Sequence, residues 1–542
     1  MTKSSAQDPD GGLPPIHLHD TLTGERRLLE TLEPGKVGIY CCGPTVYDMS
    51  HVGHARAALA PDVIVRFLRQ QGYRVTYVRN ITDIDDKIIA RSALEGRPAE
   101  EVARHYADEY RRDMAALLML EPDVEPRVSD HIPIIAALVR KLVDRGLAYA
   151  VDGDVYFRVE RFPAYGRLSK RSLDEMREGA GSRVEVDERK ESPLDFALWK
   201  AARPGEPAWD SPWGRGRPGW HIECSAMSSA HLGETFDIHA GGRDLIFPHH
   251  ENEIAQSRGA HGPATFARYW IHNGFINFAG EKMSKSLGNF FTIREVLELY
   301  SGEALRYFLL TVHYRHGLNF EIELPCPACA ALLAEPEQDA GRCAACGREL
   351  SADELRRQLR FPGLEEADER VAYVYATLEA ASRAAGGGSG RDTGRPADHE
   401  VAPAVAQLLA GFCEPLRQDF NTPAALGALS EPLREVNGLL AASRGVDPDL
   451  RRRTLRRFLA DMAVVAEVLG CFGQDPAVYL AARRDARARR IGLDVVRVEA
   501  LVAERLAARR ARDFATADRV RAELLAMGVT VQDTSEGTAW SL

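Results

Sequence analysis

A run of buried-strand character over Val37–Cys42, a helical pattern with apolar residues at Leu59, Val63, Phe67 and Leu68, and a second strand-like run over Arg74–Arg79 predict one βαβ unit. Such a unit makes an α/β fold the expectation, with ligands bound beyond the strand C-termini. Between the first strand and the helix lies HVGH, His51–His54, so both histidines fall at or near a helix N-terminus. There the unpaired backbone N–H groups and the positive end of the helix dipole attract phosphate, and Gly53 lets a ligand approach the backbone closely. The imidazoles can then donate to phosphate oxygens.

A second motif, KMSKS at Lys282–Ser286, sets two ammonium groups in a polar segment bounded by Gly280 and Gly288, which reads as a mobile loop. Lys282 and Lys285 can neutralise charge as pyrophosphate leaves. Taken singly, HVGH is equally an ordinary helix start and KMSKS a solvated loop. Their occurrence together, in this order, points to a nucleotide triphosphate site.

At 542 residues the chain is long enough for three or four domains. No apolar run reaches spanning length and no apolar core flanked by positive charge opens the sequence, so neither membrane insertion nor secretion is expected. Nine cysteines, unevenly placed, do not form a disulfide framework and fit a reducing cytoplasm. A net charge of −10 argues against nonspecific nucleic-acid affinity. Locally the balance reverses: Ala481–Met527 holds twelve arginines against seven acidic residues, with Arg505, Arg509 and Arg512 at helical spacing.

The first fifteen residues read as a disordered tail, and helical stretches follow the βαβ unit to about Leu147. Val151–Arg217 reads as an irregular insertion. Strand-like character returns at Trp220–Cys224, Phe236–His239 and Tyr269–Phe275, as the second half of a split nucleotide-binding domain. Helical patterns run from Glu295 to Val312, break at Leu324–Leu350 and resume from Ala352, with a Gly-rich loop at Gly386–Gly394. Val405–Leu469 reads as a helical bundle, and a smaller unit begins near Ile491.

The segments CGPTVYDMSHVGHARA (Cys42–Ala57), NITDIDDKII (Asn80–Ile89), SPWGRGRPGWHIECSAM (Ser211–Met227), FDIHAGGRDLIFPHHENEIAQS (Phe236–Ser257), DFNTP (Asp419–Pro423) and the last fifty residues resemble cysteinyl-tRNA synthetases, members of class I. The resemblance runs over nearly the whole chain. It implies a Rossmann-like parallel-sheet catalytic domain with an insertion, then a helical bundle and a small C-terminal anticodon-binding domain. The expected division is an N-terminal segment at 1–36, catalytic halves at 37–148 and 219–275 around an insertion at 149–218, a KMSKS and stem-contact region at 276–324, a cysteine-rich insertion at 325–350, a bundle at 351–477 and the anticodon-binding domain at 478–542.

The resemblance further implies that ATP, with Mg2+, activates cysteine to cysteinyl-AMP, which is passed to tRNA(Cys) by a monomeric chain. His51 and His54 would bind phosphate oxygens, Lys282 and Lys285 the triphosphate tail, Gly53, Gly241 and Asp244 the nucleotide, and Thr82 and Trp220 the amino acid. Asp83, Asp85 and Asp86 suit either Mg2+ or a helix N-terminus. Cysteine and serine differ by one atom, and packing cannot separate such side chains by more than about 1–3 kcal/mol. A zinc with an open position prefers the thiolate. Its implied ligands are Cys42, Cys224, His249 and Glu253, the last two at the i, i+4 spacing of one helix face. Cys41 alternates to the opposite face of the strand.

Cys326, Cys329, Cys343 and Cys346 form CPAC and CAAC thirteen residues apart, a pattern that binds a structural zinc. This insertion departs from the family pattern, and its acidic spacer favours stabilising a junction over touching nucleic acid. The stretch Val498–Trp540 resembles an anticodon-binding region, in which Arg512 and Arg519 would hold phosphates and Trp540 would stack on a base. The family pattern carries an arginine after that tryptophan, where this sequence has Ser541–Leu542. Two competing readings are a cysteine–amino-sugar ligase of the mycothiol type and a noncatalytic nucleic-acid-binding paralogue.

Overall fold

The computed structural model describes residues 13–180, 188–278, 281–282, 291–333, 341–351, 354, 358–386, 395–442, 445–534 and 537–541. Most of the expected N-terminal tail lies outside them. The described chain instead opens on a hairpin, β1 (His17–Asp20) and β2 (Glu25–Leu28). The βαβ unit follows as β3 (Lys36–Cys41), α1 (Val52–Gln70) and β4 (Arg74–Arg79). Helix α1 buries Val52, Ala55, Leu59, Val63 and Phe67, a 3–4 spacing that turns one face to the sheet.

The expected irregular insertion is an antiparallel sheet of β5 (Ala148–Val151), β6 (Asp154–Phe157), β7 (Phe196–Ala201) and β8 (Gly216–Pro218). These strands have three to six residues, too few for alternation to stand out from their charged connections. Trp220–Cys224 is likewise not a strand: Cys224 sits in the first turn of helix α2 (Ile222–Leu232). Residues 222–228 of that helix are all buried, so it lacks the polar face that would reveal a 3.6-residue period. The second half of the sheet is β9 (Thr235–Gly242), α3 (Glu251–His261) and β10 (Phe266–Asn273).

The central sheet runs β10–β9–β3–β4 with every neighbouring pair parallel. β3 leads outward to β4 and β9 leads the other way to β10, so the two middle strands diverge. Where connections diverge in an open parallel sheet, a crevice opens beyond the strand C-termini and receives ligand. The β10 edge is covered by the opening hairpin, with Thr21 N–H donating to Trp270 O at 2.9 Å and Trp270 N–H to the Asp20 carboxylate at 3.0 Å.

A small sheet of β11 (Ile276–Phe278), β12 (Glu281–Lys282) and β13 (Leu318–Phe320) leads to α4 (Gly302–Leu310) and the helical region. That region holds α5 (Pro362–Ala384), α6 (Leu408–Arg417), α7 (Ser430–Ala441), α8 (Pro448–Leu469) and α9 (Pro476–Arg490). Arg306 of α4, fully buried, fastens it to the catalytic part: it pairs with Asp62 of α1 and donates to Leu117 O at 3.2 Å and Leu469 O at 2.5 Å. A final unit comprises α10 (Val495–Arg510), α11 (Phe514–Ala526) and the hairpin β14 (Thr530–Thr534) and β15 (Gly537–Ser541).

Candidate active site

Where β3 ends, Cys42 N–H donates to Ala240 O at 3.2 Å, so the chain enters the crevice still tied to β9. A Cβ on Gly43 would lie 1.5 Å from Asn80 O, which restricts that position to glycine. His51 then caps α1 from an extended backbone, its Nδ1 accepting from Gly53 N–H at 3.1 Å, while its own N–H donates to His54 Nδ1 at 3.2 Å. The two rings stack with centroids 3.9 Å apart. Because both Nδ1 atoms accept, each neutral ring carries its hydrogen on Nε2, the tautomer a phosphate oxygen requires.

Lys282 closes β12, paired with Asn277 of β11, and Lys285 lies outside the described residues. The far end of the KMSKS segment returns to α1: Phe291 O accepts from Val52 N–H at 3.2 Å, and Ile293 N–H donates to Ser50 O at 3.0 Å. Thr292 pairs with His51 across an antiparallel bridge and caps the helix Ile293–Leu297 with Glu295. The HVGH segment is thus joined by main-chain hydrogen bonds to Phe291–Ile293, a few residues past KMSKS and more than two hundred residues along the chain.

Beside them Cys42, Cys224, His249 and Glu253 converge, with donor atoms within 4.8 Å of one another. Cys42 Sγ lies 3.6 Å from Cys224 Sγ, 3.5 Å from His249 Nε2 and 3.4 Å from Glu253 Oε1, and the last two are 3.0 Å apart. A tetrahedral metal with bonds of about 2.0–2.3 Å needs donors about 3.3–3.8 Å apart, which this set approaches. The electrostatics favour an anion at Cys224 and Glu253, whereas burial, with Cys224 and Glu253 beside it, pushes the Cys42 thiol well above its ordinary value. A hydrogen bond from Cys42 brings the Cys224 thiol down to about 6 against burial. Burial alone would raise Glu253, yet His239 and His249 bring it down to about 2. Cys41 faces the core on the other side of β3, where burial pushes its thiol up to about 12.

A second possible set shares Cys42 and Glu253 and substitutes His239 and His250. His239 Nε2 is engaged by Glu253 Oε2 at 2.9 Å, and His250 Nδ1 by His272 Nε2 at 2.7 Å. Neither ring reaches the cavity, whereas Cys42, Cys224 and His249 line it. Three members of the first set therefore face the cavity, and His239 and His250 stand behind it. The sequence reading did not single out these two histidines, although both lie inside the quoted FDIHAGG and PHHENE segments.

The cavity measures about 350 Å³ and is also lined by His51, Gly53, His54, Thr82, Trp220, Gly241 and Asp244. Trp220 stands 4.5 Å from the His249 ring and is 39% exposed. Thr82 Oγ1 accepts from Asn80 Nδ2 and donates to Glu223 Oε2, both at 3.2 Å. Burial pushes the Glu223 carboxyl well above the carboxylate range. The nearby aspartates are engaged elsewhere: Asp83 binds Ser129, Asp85 caps the helix Asp86–Glu95, and Asp86 pairs with Lys200 and Arg217. The helix-terminus reading thus accounts for Asp85.

Cys326, Cys329, Cys343 and Cys346 form a separate cluster, with Cys326–Cys346 and Cys329–Cys343 sulfur distances of 3.7 Å. The knuckles share one turn, Ala330 N–H to Cys326 O and Gly347 N–H to Cys343 O, each at 2.8 Å. In the C-terminal unit Arg512 occupies a left-handed turn between α10 and α11, and Arg519 pairs with Glu504 at 2.5 Å. Trp540 is only 7% exposed, its Nε1 donating to Glu499 at 3.2 Å and the Arg484 guanidinium lying 4.4 Å over its ring. The place expected for a base is taken in this conformation by Arg484.

Comparison with known proteins agrees with this geometry. The tRNA synthetases class I (C) catalytic domain matches residues 28–328, the DALR domain residues 411–473 and the cysteinyl-tRNA ligase anticodon binding domain residues 496–540. A cysteine–tRNA ligase of Anaeromyxobacter dehalogenans is 49% identical over 533 residues, 97% of this chain and 99% of that protein. One from Geobacter sulfurreducens is 46% identical over 527 residues, again 97% and 99%. Among solved structures, Mycobacterium tuberculosis methionyl-tRNA synthetase in complex with methionyl-adenylate gives a TM-score of 0.51 at 18% identity, covering 80% of this chain and 92% of that one, a likeness of fold alone. The full-length identity and the anticodon-domain match favour the ligase over both competing readings. The chain belongs to the cysteine–tRNA ligases, a family of class I aminoacyl-tRNA synthetases.

Proposed function

We propose that this ATP-dependent ligase recognises cysteine by its thiol, through a zinc ion held by Cys42, Cys224, His249 and Glu253, beside a nucleotide site built from HVGH and KMSKS. The observation that carries this reading is the convergence of the four donors, three of which, Cys42, Cys224 and His249, line the cavity that His51 and His54 also line. Bound zinc would supply a preference for thiolate over hydroxyl and a lowered thiol pKa.

The chain's own residues then position and stabilise. Thr82 and Trp220 bound the amino-acid pocket, so the substrate carboxylate meets the α-phosphorus of ATP; an O–P bond forms and pyrophosphate leaves. His51 and His54 donate from Nε2 to phosphate oxygens, Gly53 allows close approach, and Gly241 and Asp244 lie at the nucleotide. Lys282 and Lys285 hold the triphosphate tail, with Mg2+ accompanying ATP as charge builds on pyrophosphate. The cysteinyl group passes from the adenylate to the terminal ribose of tRNA(Cys).

At the far end Arg512 and Arg519 contact phosphates of the tRNA, and Trp540 takes a base once Arg484 moves aside. The four-cysteine insertion, residues 325–350, holds a structural zinc: its short apolar content, Leu324, Leu333 and Leu350 against Cys326 and Cys343, is too small to fold it without a crosslink. The segment boundaries given from the sequence serve as the domain division, with an enzyme acting as a monomer in the cytoplasm. Among the described residues no helix is long and apolar enough to cross a membrane.

The test is cysteine-dependent exchange of pyrophosphate into ATP, with and without tRNA. Cys224→Ser should lose zinc and raise the KM for cysteine by about 100-fold while ATP binding stays within about twofold. Unchanged cysteine activation in a zinc-depleted protein would refute the selection mechanism.

A further inference from the structure

DFNTP, one of the sequence segments quoted above, contributes no residue to the cavity, yet its aspartate is a heavily engaged carboxylate that joins the bundle to the catalytic part. Asp419 is 3% exposed. Its Oδ1 accepts from His19 N–H at 2.9 Å and from Tyr314 OH at 2.7 Å, its Oδ2 from Arg315 Nε at 2.7 Å, and His313 Nε2 lies 3.6 Å away. Its own N–H donates to His17 O at 2.8 Å. Both Asp419 and Phe420 have left-handed backbones, φ 67° and 51°, a costly pair for residues with side chains. Such strain persists only where the surroundings over-determine it.

The side-chain partners of Asp419 lie in one turn, His313–His316, and the carbonyls of that turn hold two walls of the ATP cavity. Tyr314 O accepts from Gly274 N–H at 2.7 Å, and a Cβ on Gly274 would meet His316 O at 2.2 Å; Gly274 lines the cavity. On the other side Arg56 of α1, 3% exposed and two residues past His54, donates to Val312 O at 3.1 Å and His313 O at 2.8 Å, and also to Leu309 O. Thr422 Oγ1, three residues past Asp419, donates to Leu310 O at 2.8 Å.

We propose that Asp419 is a positioning residue that pins the His313–His316 turn, and that through this turn the seating of the helical bundle sets the spacing of Gly274 and the HVGH helix across the nucleotide. The inference rests on the nucleotide reading of the cavity. On the proposed function the bundle leads to the unit that binds the anticodon, so the turn is one connection by which events on tRNA are felt at ATP. The zinc donors lie just past β3 (Cys42), in α2 (Cys224), just before α3 (His249) and within it (Glu253), and none of their described hydrogen bonds reaches the turn, so cysteine binding is spared.

The test measures KM for ATP and for cysteine in pyrophosphate exchange without tRNA, with thermal melting as a check on folding. Wild-type exchange tests the nucleotide reading by itself. Given that exchange, Asp419→Asn should raise KM for ATP about tenfold and leave KM for cysteine within about twofold. Tyr314→Phe, which removes one hydroxyl and no charge, should do the same to a smaller extent should Asp419→Asn not fold. Arg56→Lys should also raise KM for ATP, and the double variant with Asp419→Asn should be no worse than the more severe single, because both loosen one turn. Multiplicative effects in the double, equal rises in both KM values, or a lowered melting temperature with KM for ATP unchanged would overturn the positioning role.

Discussion

Replacing His239 by phenylalanine isolates one hydrogen bond behind the metal donors. The ring of His239 stacks on Trp270 with centroids 4.5 Å apart and 15° between planes, and phenylalanine keeps that stack. What it loses is the Nε2–H donor to Glu253 Oε2 at 2.9 Å, at a site where both side chains are 0% exposed. Oε1 of the same carboxylate faces Cys42 and His249, so a carboxylate free to turn no longer presents that oxygen to the metal. A hydrogen bond to a charged group contributes about 1.5–3 kcal/mol, and a buried oxygen left without it regains no water. Zinc affinity should therefore fall about 10- to 150-fold. Competition against a chelator of known affinity measures this directly, and His239→Gln, whose amide can donate, should recover part of the loss. Zinc affinity within twofold of the parent in a folded His239→Phe protein would refute the idea that Glu253 is held in place from behind.

Lys285→Ala should lower the exchange rate constant about 100- to 1,000-fold with cysteine affinity retained, read in steady-state exchange. Metal analysis should find about two zinc ions per chain, and Cys326→Ser with Cys329→Ser should remove one while cysteine-dependent exchange persists. His313 offers a pH signature: burial brings its pKa from 6.5 down to about 4, so between those values the unfolded chain binds a proton that the folded chain refuses. Stability should therefore fall as pH drops from 6.5 toward 4, and His313→Gln should flatten the slope seen in denaturant titrations.

The parts of the site that local chemistry specifies were legible before any coordinates. β4 coincides with the strand predicted at Arg74–Arg79, and β3 lies within one residue of the predicted Val37–Cys42. The HVGH histidines fall at the N-terminus of α1, as their place between strand and helix requires. Cys42, Cys224, His249 and Glu253 converge as the resemblance implied, and PHHENE gave the i, i+4 spacing of its two members.

What stayed hidden depends on long-range packing. α2 is buried nearly all round, so its periodicity vanished and Trp220–Cys224 passed for a strand. The strands of the insertion take their order from pairings such as Tyr156↔Ala197, which no local window contains. Trp540 reads as a stacking platform in sequence, yet the fold covers it with Arg484 from another helix. His239 acts only because β9 brings it against Glu253, and no local pattern separates it from an ordinary core histidine.

The divergence of β3 and β9 also sets an order of events for the growing chain. Cys42 meets Cys224 across 182 residues and Glu253 across 211, so, on the proposed zinc reading, a nascent chain that has folded only its first βαβ unit would hold the HVGH loop but no means of telling cysteine from serine. On that reading discrimination would arrive only when the second half of the sheet has been synthesised and paired. From then on, metal bound at a thousandfold excess over its dissociation constant would add about 4 kcal/mol to the folded chain, shared by both halves at once. Substrate choice and completion of the fold would then be one thermodynamic event, and a chain missing either half would be silent rather than error-prone.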